Sequence, residues 1–231
     1  MTSERKRQEM AAGVRDIFPA MIAAAPIGLL CGALAVAKGL RPIEASLASA
    51  AIFAGGAQFA ALELWRAPPP IFALVFSTLL INARHILMGA SLKAKLGYFS
   101  AAQRLLGVAV MADENWAMAE RRAAAQPLTP AYYLAMGLVF WANWVVWSAV
   151  GAFAGSLMGD PKRVGADFAF TALFIGLVAG FWRGRSTAAT VVASALCSAL
   201  AYRALGAPWH VAAGALAGIA AAWAYAARER A

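Results

Sequence analysis

The apolar run from Ile71 to Leu92 contains an amide, a guanidinium and an imidazole, three groups whose chemistry sets them apart from their neighbours in the run. Asn82 carries an amide, Arg84 a permanent positive charge, and His85 a ring that exchanges a proton near neutral pH. An unpaired guanidinium in a bilayer costs several kcal/mol, so such residues mark solute or proton pathways. The cluster therefore predicts a site for a charged or zwitterionic solute within a membrane protein.

A second set of polar residues lies in the preceding apolar segment, 45–65, where the pair Gly55-Gly56 is followed by Gln58. Glycines next to an amide are typical of an unwound turn or of the tip of a re-entrant segment. Backbone N–H groups at such a break can bind a carboxylate. We interpret this turn and the 82–85 cluster as two halves of one site, with the broken turn as the expected partner of Arg84 or of the substrate.

Two further pairs of candidate substrate-binding residues come from other segments. Pro26 removes a helix hydrogen bond close to Gly28, which predicts a kink, although both residue types also shape helix packing. Asn143 and Trp144 lie in the middle of an uncharged, aromatic-rich run from 131 to 159. That amide can contact a ligand or bond a neighbouring helix.

Proton coupling needs a group whose charge changes near the working pH. His85 is the first candidate, and the adjacent carboxyls of Asp113 and Glu114 are the second. Each has a simpler interpretation, because His85 can form a hydrogen bond between helices. The carboxyl pair can likewise stand at a helix start or at the membrane interface.

The composition indicates the fold class. Of 231 residues, 62% are hydrophobic and 13% are charged, whereas soluble domains carry about 25% charged residues. Apolar runs of about 20 residues recur along the chain, and each is long enough to cross a bilayer as a helix. Because these runs do not alternate, we predict an all-α, polytopic integral membrane protein, a bundle of helices rather than a β-barrel.

The distribution of charges and motifs excludes other classes. The net charge is +9, but Lys and Arg stand at the edges of apolar segments, as the positive-inside rule predicts, and no nucleic-acid-binding motif is present. Cys31 and Cys197 form neither a metal motif nor a disulfide framework. No HExxH, GxSxG or phosphate-binding loop occurs, so the sequence predicts no enzyme, no ATP-driven pump and no cofactor.

The positive charges also indicate how many apolar segments cross. More Lys and Arg face the cytoplasm if segments 45–65 and 105–118 fail to cross than if every segment spans the bilayer. We therefore predict about six full spans plus one or two broken or re-entrant segments, 6–8 segments in total. Residues 1–16 form a cytoplasmic N-terminal segment, 17–227 a single transmembrane domain and 228–231 a cytoplasmic tail, which places both termini inside.

Several motifs, in their order, resemble the large subunit of the bacterial AzlC-type branched-chain amino-acid exporters. They are Gly13 and Asp16 through Pro26-Ile27-Gly28, Glu44-Ala45 leading into Phe53-Ala54-Gly55-Gly56-Ala57-Gln58-Phe59, Asn82-Ala83-Arg84-His85 with Gly89-Ala90-Ser91-Leu92, and Asp113-Glu114. The motifs cover residues 13 to about 160, whereas the last three helices match only in hydropathy. The sequence departs from the pattern at Gly56 and Met88, where we expect alanine and tyrosine, and Met88 can alter the polarity of a pocket.

The resemblance implies a multi-pass transporter in the bacterial inner membrane that exports leucine, isoleucine and valine, with methionine as a further candidate. It also implies a small hydrophobic AzlD-type partner subunit, and it leaves a homo-oligomer open.

In this interpretation Arg84, or the N–H groups at Gly55-Gly56, hold the substrate carboxylate. Gln58 and Asn82 orient the head group, and Trp144 contacts the apolar side chain. Two alternatives remain: a non-catalytic scaffold subunit of a membrane complex, and a transporter of another small amphipathic solute.

Overall fold

The computed structural model describes residues 2–158, 175–176, 178–179, 182, 184–206 and 209–230. These residues form helices joined by turns, with no β-strand among them. The helices are α1 (Ser3–Ala37), α2 (Pro42–Ala51), α3 (Gly55–Leu64), α4 (Ile71–Asn82), α5 (Arg84–Lys93), α6 (Ala101–Ala109), α7 (Asp113–Ala125), α8 (Pro130–Met158), α9 (Arg185–Leu205) and α10 (Trp209–Arg230). The predicted all-α class is confirmed.

Within these ranges five helical stretches are long and apolar enough to cross a membrane, judged by length and composition. They are Ser3–Ala37, Ile71–Lys93, Pro130–Gly155, Arg185–Leu205 and Trp209–Arg228. A sixth predicted span, at 166–182, lies largely outside the described residues. The helix that holds the first span begins at Ser3, because the Thr2 hydroxyl accepts the Arg5 N–H and the following residues favour helix.

The chain divides into two compact units. The first contains Met1–Leu62 and Asn82–Ala166, and the second contains Glu63–Ile81 and Asp167–Ala231. Every candidate site residue named from the sequence belongs to the first unit. The prediction of a single transmembrane domain over 17–227 stays a prediction.

The first unit is built on α1 and α8, which lie side by side and run in the same direction. Gly13 of α1 meets the backbone of Tyr132 near the start of α8, and Gly32 meets the Ser148 carbonyl farther along. A Cβ atom at Gly32, or at Gly151 of α8, would overlap the partner backbone. Only glycine permits this approach, which brings the two helix backbones into contact.

The first helix is continuous through Pro26, and the kink predicted there stays a prediction. α1 continues through Pro19 and Pro26 to Ala37, and its length is packed against α8. The contact with α8 explains why the lost hydrogen bond of Pro26 does not end the helix.

The segment predicted to be broken at 45–65 is a helical hairpin, α2 and α3, joined by residues 52–54. We call this the first hairpin, and 52–54 the first tip. In a straight helix Ser49 and Gln58 would be about 13 Å apart along the axis. Instead Gln58 Nε2 donates to Ser49 Oγ at 3.0 Å, so the chain turns back at the tip. The break precedes Gly55-Gly56, which open α3.

The segment 105–118 is also broken, into α6 and α7 around residues 110–112. We call α6–α7 the second hairpin, and 110–112 the second tip. Gly107 lies against Tyr133, Val110 at the tip lies against Gly137, and Arg122 returns to the Tyr132 ring. Both arms therefore meet the same turn of α8. The predicted break is therefore present, and the prediction that this segment does not cross the bilayer stays a prediction.

In the second unit, α9 and α10 pack through small residues. Gly214 and Gly218 of α10 face Ser194 and Thr190 of α9. Small residues at these positions let the two helices approach closely, because a larger side chain would separate them.

Candidate functional site

The second tip gathers charged residues that are far apart in the sequence. Arg84 Nη1 lies 2.6 Å from Asp113 Oδ2, and His85 Nε2 lies 3.2 Å from the Met111 carbonyl oxygen. Ala83 is a turn residue between α4 and α5, and its carbonyl accepts the Ile86 N–H at 3.0 Å, three residues on. This local distortion lets neighbouring side chains reach one tip. The expected partner of Arg84, the broken turn at 55–58, is replaced by Asp113.

His85 lies between two backbone carbonyl groups. Its Nδ1 is 3.2 Å from the Asn82 carbonyl oxygen, and its Nε2 is 3.2 Å from that of Met111. A neutral imidazole donates from one nitrogen, whereas the doubly protonated ring donates from both. The proton state of His85 therefore decides how many of these contacts are hydrogen bonds.

Glu114 sits beside the ion pair at the start of α7. Burial of its carboxyl among protein atoms raises the pKa of Glu114 above its usual range, and the charge of Asp113 adds to the increase. Its own backbone N–H and the charge of Arg84 oppose that change. The residue nevertheless has exposed surface. Glu114 therefore combines access to solvent with a carboxyl that holds its proton to a higher pH than an ordinary glutamate.

Two polar atoms at this end of α4 and α5 are buried without a hydrogen-bond partner among the described residues. They are Asn82 Oδ1, an acceptor, and Arg84 Nε, a donor. Buried polar atoms in folded proteins are nearly always paired. An unpaired acceptor and donor on the same turn therefore mark a position for a polar ligand or water.

The sequence interpretation missed Asn115, which holds the second tip together. Its side chain is fully buried. Oδ1 accepts the Ala112 N–H at 2.8 Å, and Nδ2 donates to the Val110 carbonyl at 2.6 Å. Its position directly after the conspicuous carboxyl pair was the available signal, because an amide in a first helical turn commonly caps backbone groups.

The first tip brings together three of the predicted residues. The Trp144 indole N–H donates to Gln58 Oε1 at 2.9 Å. The Trp144 ring also covers Gly55, where a Cβ atom would lie 2.9 Å from Cη2. Gly56 follows in the same turn of α3. The Gln58 amide is thus bonded at both ends, by Trp144 and by Ser49, a partner that the sequence did not indicate.

Pro26, Gly28 and Asn143 lie where α1 meets α8, apart from the contacts of either tip. A Cβ atom at Gly28 would lie 3.1 Å from Trp147 Cβ. Asn143 Nδ2 donates to the Met21 carbonyl at 3.2 Å, so its amide bonds a neighbouring helix. That is one of the two roles the sequence left open. Within the described ranges, no three His, Cys, Asp or Glu side chains are grouped to hold a metal ion.

Comparison with known proteins adds a family. The family model described as AzlC protein matches residues 19–158. An inner membrane protein, YgaZ, of Escherichia coli is 29% identical over 196 residues, which cover 82% of this chain and 79% of that protein. The branched-chain amino acid transport protein AzlC of Bacillus subtilis is 30% identical over 190 residues, 78% of this chain and 72% of that protein.

An uncharacterized membrane protein of Archaeoglobus fulgidus is 30% identical over 191 residues, 79% of this chain and 80% of its own length. No solved structure matches the chain. The matched region of the family model contains α2 to α8, including both tips, and the C-terminal half of α1. The apolar helices, the family model and these relatives together show that the chain is a membrane protein of the AzlC protein family, which is associated with branched-chain amino acid transport.

Proposed function

We propose that this chain is the large subunit of a secondary transporter that exports leucine, isoleucine and valine, with methionine as a further candidate. It would act in the bacterial inner membrane with both termini in the cytoplasm, together with a small hydrophobic AzlD-type subunit. The observation that carries the proposal is the second tip, where the Arg84–Asp113 ion pair stands beside the unpaired atoms Asn82 Oδ1 and Arg84 Nε.

A zwitterion fits these groups. The substrate carboxylate accepts from Arg84, whose Nε has no partner among the described residues, and the ammonium donates to Asn82 Oδ1 and to Asp113. The Arg84 and Asp113 side chains are each 41% exposed, so a solute can reach them. Binding would exchange one ion pair for two contacts with the ligand, one at each charge, which keeps both charges compensated.

The first tip supplies the other end of the proposed site. Its contacts on α8 centre on Trp144, and those of the second tip on Gly137, a spacing of about 10 Å along the helix. In the proposed site, the branched apolar side chain of the substrate points along α8 from the second tip toward the first. We propose that Trp144 contacts that side chain, and that the N–H groups of Gly55 and Gly56, at the start of α3, offer a second position for a carboxylate.

The remaining proposed residues act through other groups. Gln58 is bonded to Ser49 and Trp144, and it would hold the indole in place. Pro26, Gly28 and Asn143 would set how α1 lies on α8, beside Trp144.

For proton coupling, Glu114 becomes the first choice among His85, Asp113 and Glu114. Its raised pKa keeps the carboxyl neutral to a higher pH than usual, and its exposure allows exchange with water. Binding of a charged substrate to the neighbouring Arg84–Asp113 pair would change the field at this carboxyl. His85 contacts the carbonyl oxygens of Asn82 and Met111, so a change in its protonation would alter its hydrogen bond with the Met111 backbone.

The transport proposal is tested by counterflow of labelled leucine in proteoliposomes with and without the small subunit. We expect uptake above that of empty liposomes, with competition by unlabelled valine and none by lysine. Uptake equal to that of empty liposomes, with the small subunit present, would reject transport. Uptake that ignores an imposed pH gradient would reject proton coupling alone.

The scaffold alternative is kept because Arg84 and Asp113 form a structural ion pair within one unit. If the pair serves assembly, Arg84→Ala abolishes co-purification with the partner subunit. If it serves transport, the variant assembles and is inactive. Co-purification followed by counterflow separates the two.

A further inference from the structure

We infer that Asn115 is a positioning residue: its amide holds the second tip in the shape that points Met111 at His85 and Asp113 at Arg84. The role rests on the proposed function for its effect on transport, but its structural part can be tested without transport. The side-chain hydrogen bonds of Asn115 go to the backbone of Ala112 and Val110 and to neither Arg84 nor Asp113.

The argument begins with the geometry of the tip. One side chain forms hydrogen bonds with both ends of the break. Asn115 Oδ1 accepts the Ala112 N–H, and Asn115 Nδ2 donates to the Val110 carbonyl oxygen. Met111 lies between these two fixed residues, and its carbonyl oxygen faces His85 Nε2 at 3.2 Å. Asp113 follows immediately and pairs with Arg84. The hydrogen bonds of Asn115 to Val110 and Ala112 therefore set the orientation of the Met111–His85 and Asp113–Arg84 contacts.

The amide is the group that this position requires. It must accept and donate at once, and it is fully buried, so an unsatisfied atom would not find water. Leucine has nearly the same size but makes neither bond. The neighbouring residue on α8 is Gly137, where a Cβ atom would lie 2.6 Å from Val110 Cγ2 and 3.2 Å from Asn115 Nδ2. The second tip is therefore held by the Asn115 side chain on one side and packs against Gly137 of α8 on the other.

The test uses the nitrogen signals of histidine. The chain has two histidines, His85 and His210, so selective ¹⁵N labelling of the purified full-length protein gives two rings to assign. In Asn115→Leu we expect the Nε2 signal of His85 to shift while that of His210 stays in place. The matched control is Asn143→Leu, which also removes an amide bonded to a backbone carbonyl, here a half-buried one, and it should leave His85 unchanged. An unmoved His85 signal in Asn115→Leu, or an equal shift in the control, overturns the inference.

A second variant covers the case in which Asn115→Leu does not fold. Gly137→Ala keeps the amide, favours helix in α8, and displaces the tip from outside. It should shift His85 Nε2 in the same way, and an unmoved signal in this variant also counts against the inference.

Leucine counterflow distinguishes this inference from the proposed function. Both variants should lower the rate by about tenfold or more. If the unaltered protein does not transport leucine but the variants still shift the His85 signal, the proposed function is rejected and the inference stands. Normal counterflow in both variants, with transport otherwise established, would reject the positioning role.

Discussion

Arg84 and Asp113 form an ion pair, with 2.6 Å between Nη1 and Oδ2, that joins the start of α5 to the start of α7. Each side chain is 41% exposed. Accessible ion pairs contribute about 0–1 kcal/mol to stability. The pair therefore has more effect on where charges stand than on whether the protein folds, which is the property expected of groups that can exchange partners with a substrate.

Arg84→Lys should separate charge from geometry. Lysine keeps the positive charge but loses Nε and the planar fork, so we expect leucine counterflow to fall by about tenfold or more. The melting temperature should change little, because the pair is accessible. The matched control is Arg41→Lys, since Arg41 makes a comparable pair with Glu44, at 2.6 Å, outside the proposed site. Equal loss of counterflow in both variants would contradict the assignment.

Glu114→Gln should alter how stability depends on pH. Burial raises the pKa of Glu114, so the folded protein binds its proton more tightly than the unfolded chain. The stabilisation is complete below the ordinary glutamate range and is lost as the pH rises through the raised value. Glutamine stays neutral throughout. We therefore expect the melting temperature of the variant to exceed that of the original protein increasingly as the pH approaches neutrality.

The control for that series is Glu44→Gln, which should behave in the opposite way. The hydrogen bond from Arg41 lowers the pKa of Glu44, so its contribution is present at neutral pH and disappears as the pH falls. Parallel pH curves for the two glutamine variants would show that the burial of Glu114 does not act as described.

The sequence was sufficient to predict the two broken segments. A glycine pair beside Gln58, and an acidic pair in a short apolar piece, each violate the pattern of a continuous span. Both hairpins then follow one plan. Each begins at a capped helix, α2 or α6, and has a buried amide in the first turns of its returning helix, Gln58 in one and Asn115 in the other. This common plan explains why two short segments with no shared motif both turn back.

The contacts of Arg84 could not be predicted in the same way. A helical wheel assumes a regular helix, and the turn residue Ala83 breaks that assumption. Ser49 and Asn115 were missed because one hydroxyl or amide in an apolar segment carries no spacing signal. Their roles follow from which groups lie opposite them after folding, and that information is tertiary.

A largely buried ion pair at the base of the second hairpin should be important for stability. Arg122 Nη2 lies 2.9 Å from both Glu9 carboxylate oxygens, and the side chains are only 13% and 15% exposed. Thr129 also donates to Glu9, and the guanidinium lies 4.0 Å from the Tyr132 ring centroid. Removing one partner of such a pair costs about 3–5 kcal/mol, because the other charge stays buried.

We therefore expect Arg122→Ala to lower the free energy of unfolding by about that amount in denaturant titrations. The neighbouring Arg121 is exposed, and Arg121→Ala should change stability by no more than about 0.5 kcal/mol. Similar losses in both variants would indicate a general effect of net charge on this segment rather than a specific contact with α1.

Close packing of α1 on α8 gives the last prediction. A Cβ atom at Gly32 would overlap the Ser148 carbonyl, so Gly32→Ala must push the helices apart and should destabilise the protein by about 1–3 kcal/mol. Gly89→Ala is the matched control, because a Cβ atom there meets nothing within 4 Å. Alanine favours helix over glycine, so this variant should be stabilised by up to about 1 kcal/mol. Thermal unfolding should therefore shift in opposite directions for two identical substitutions, and a shift in the same direction would contradict the packing described for α1 and α8.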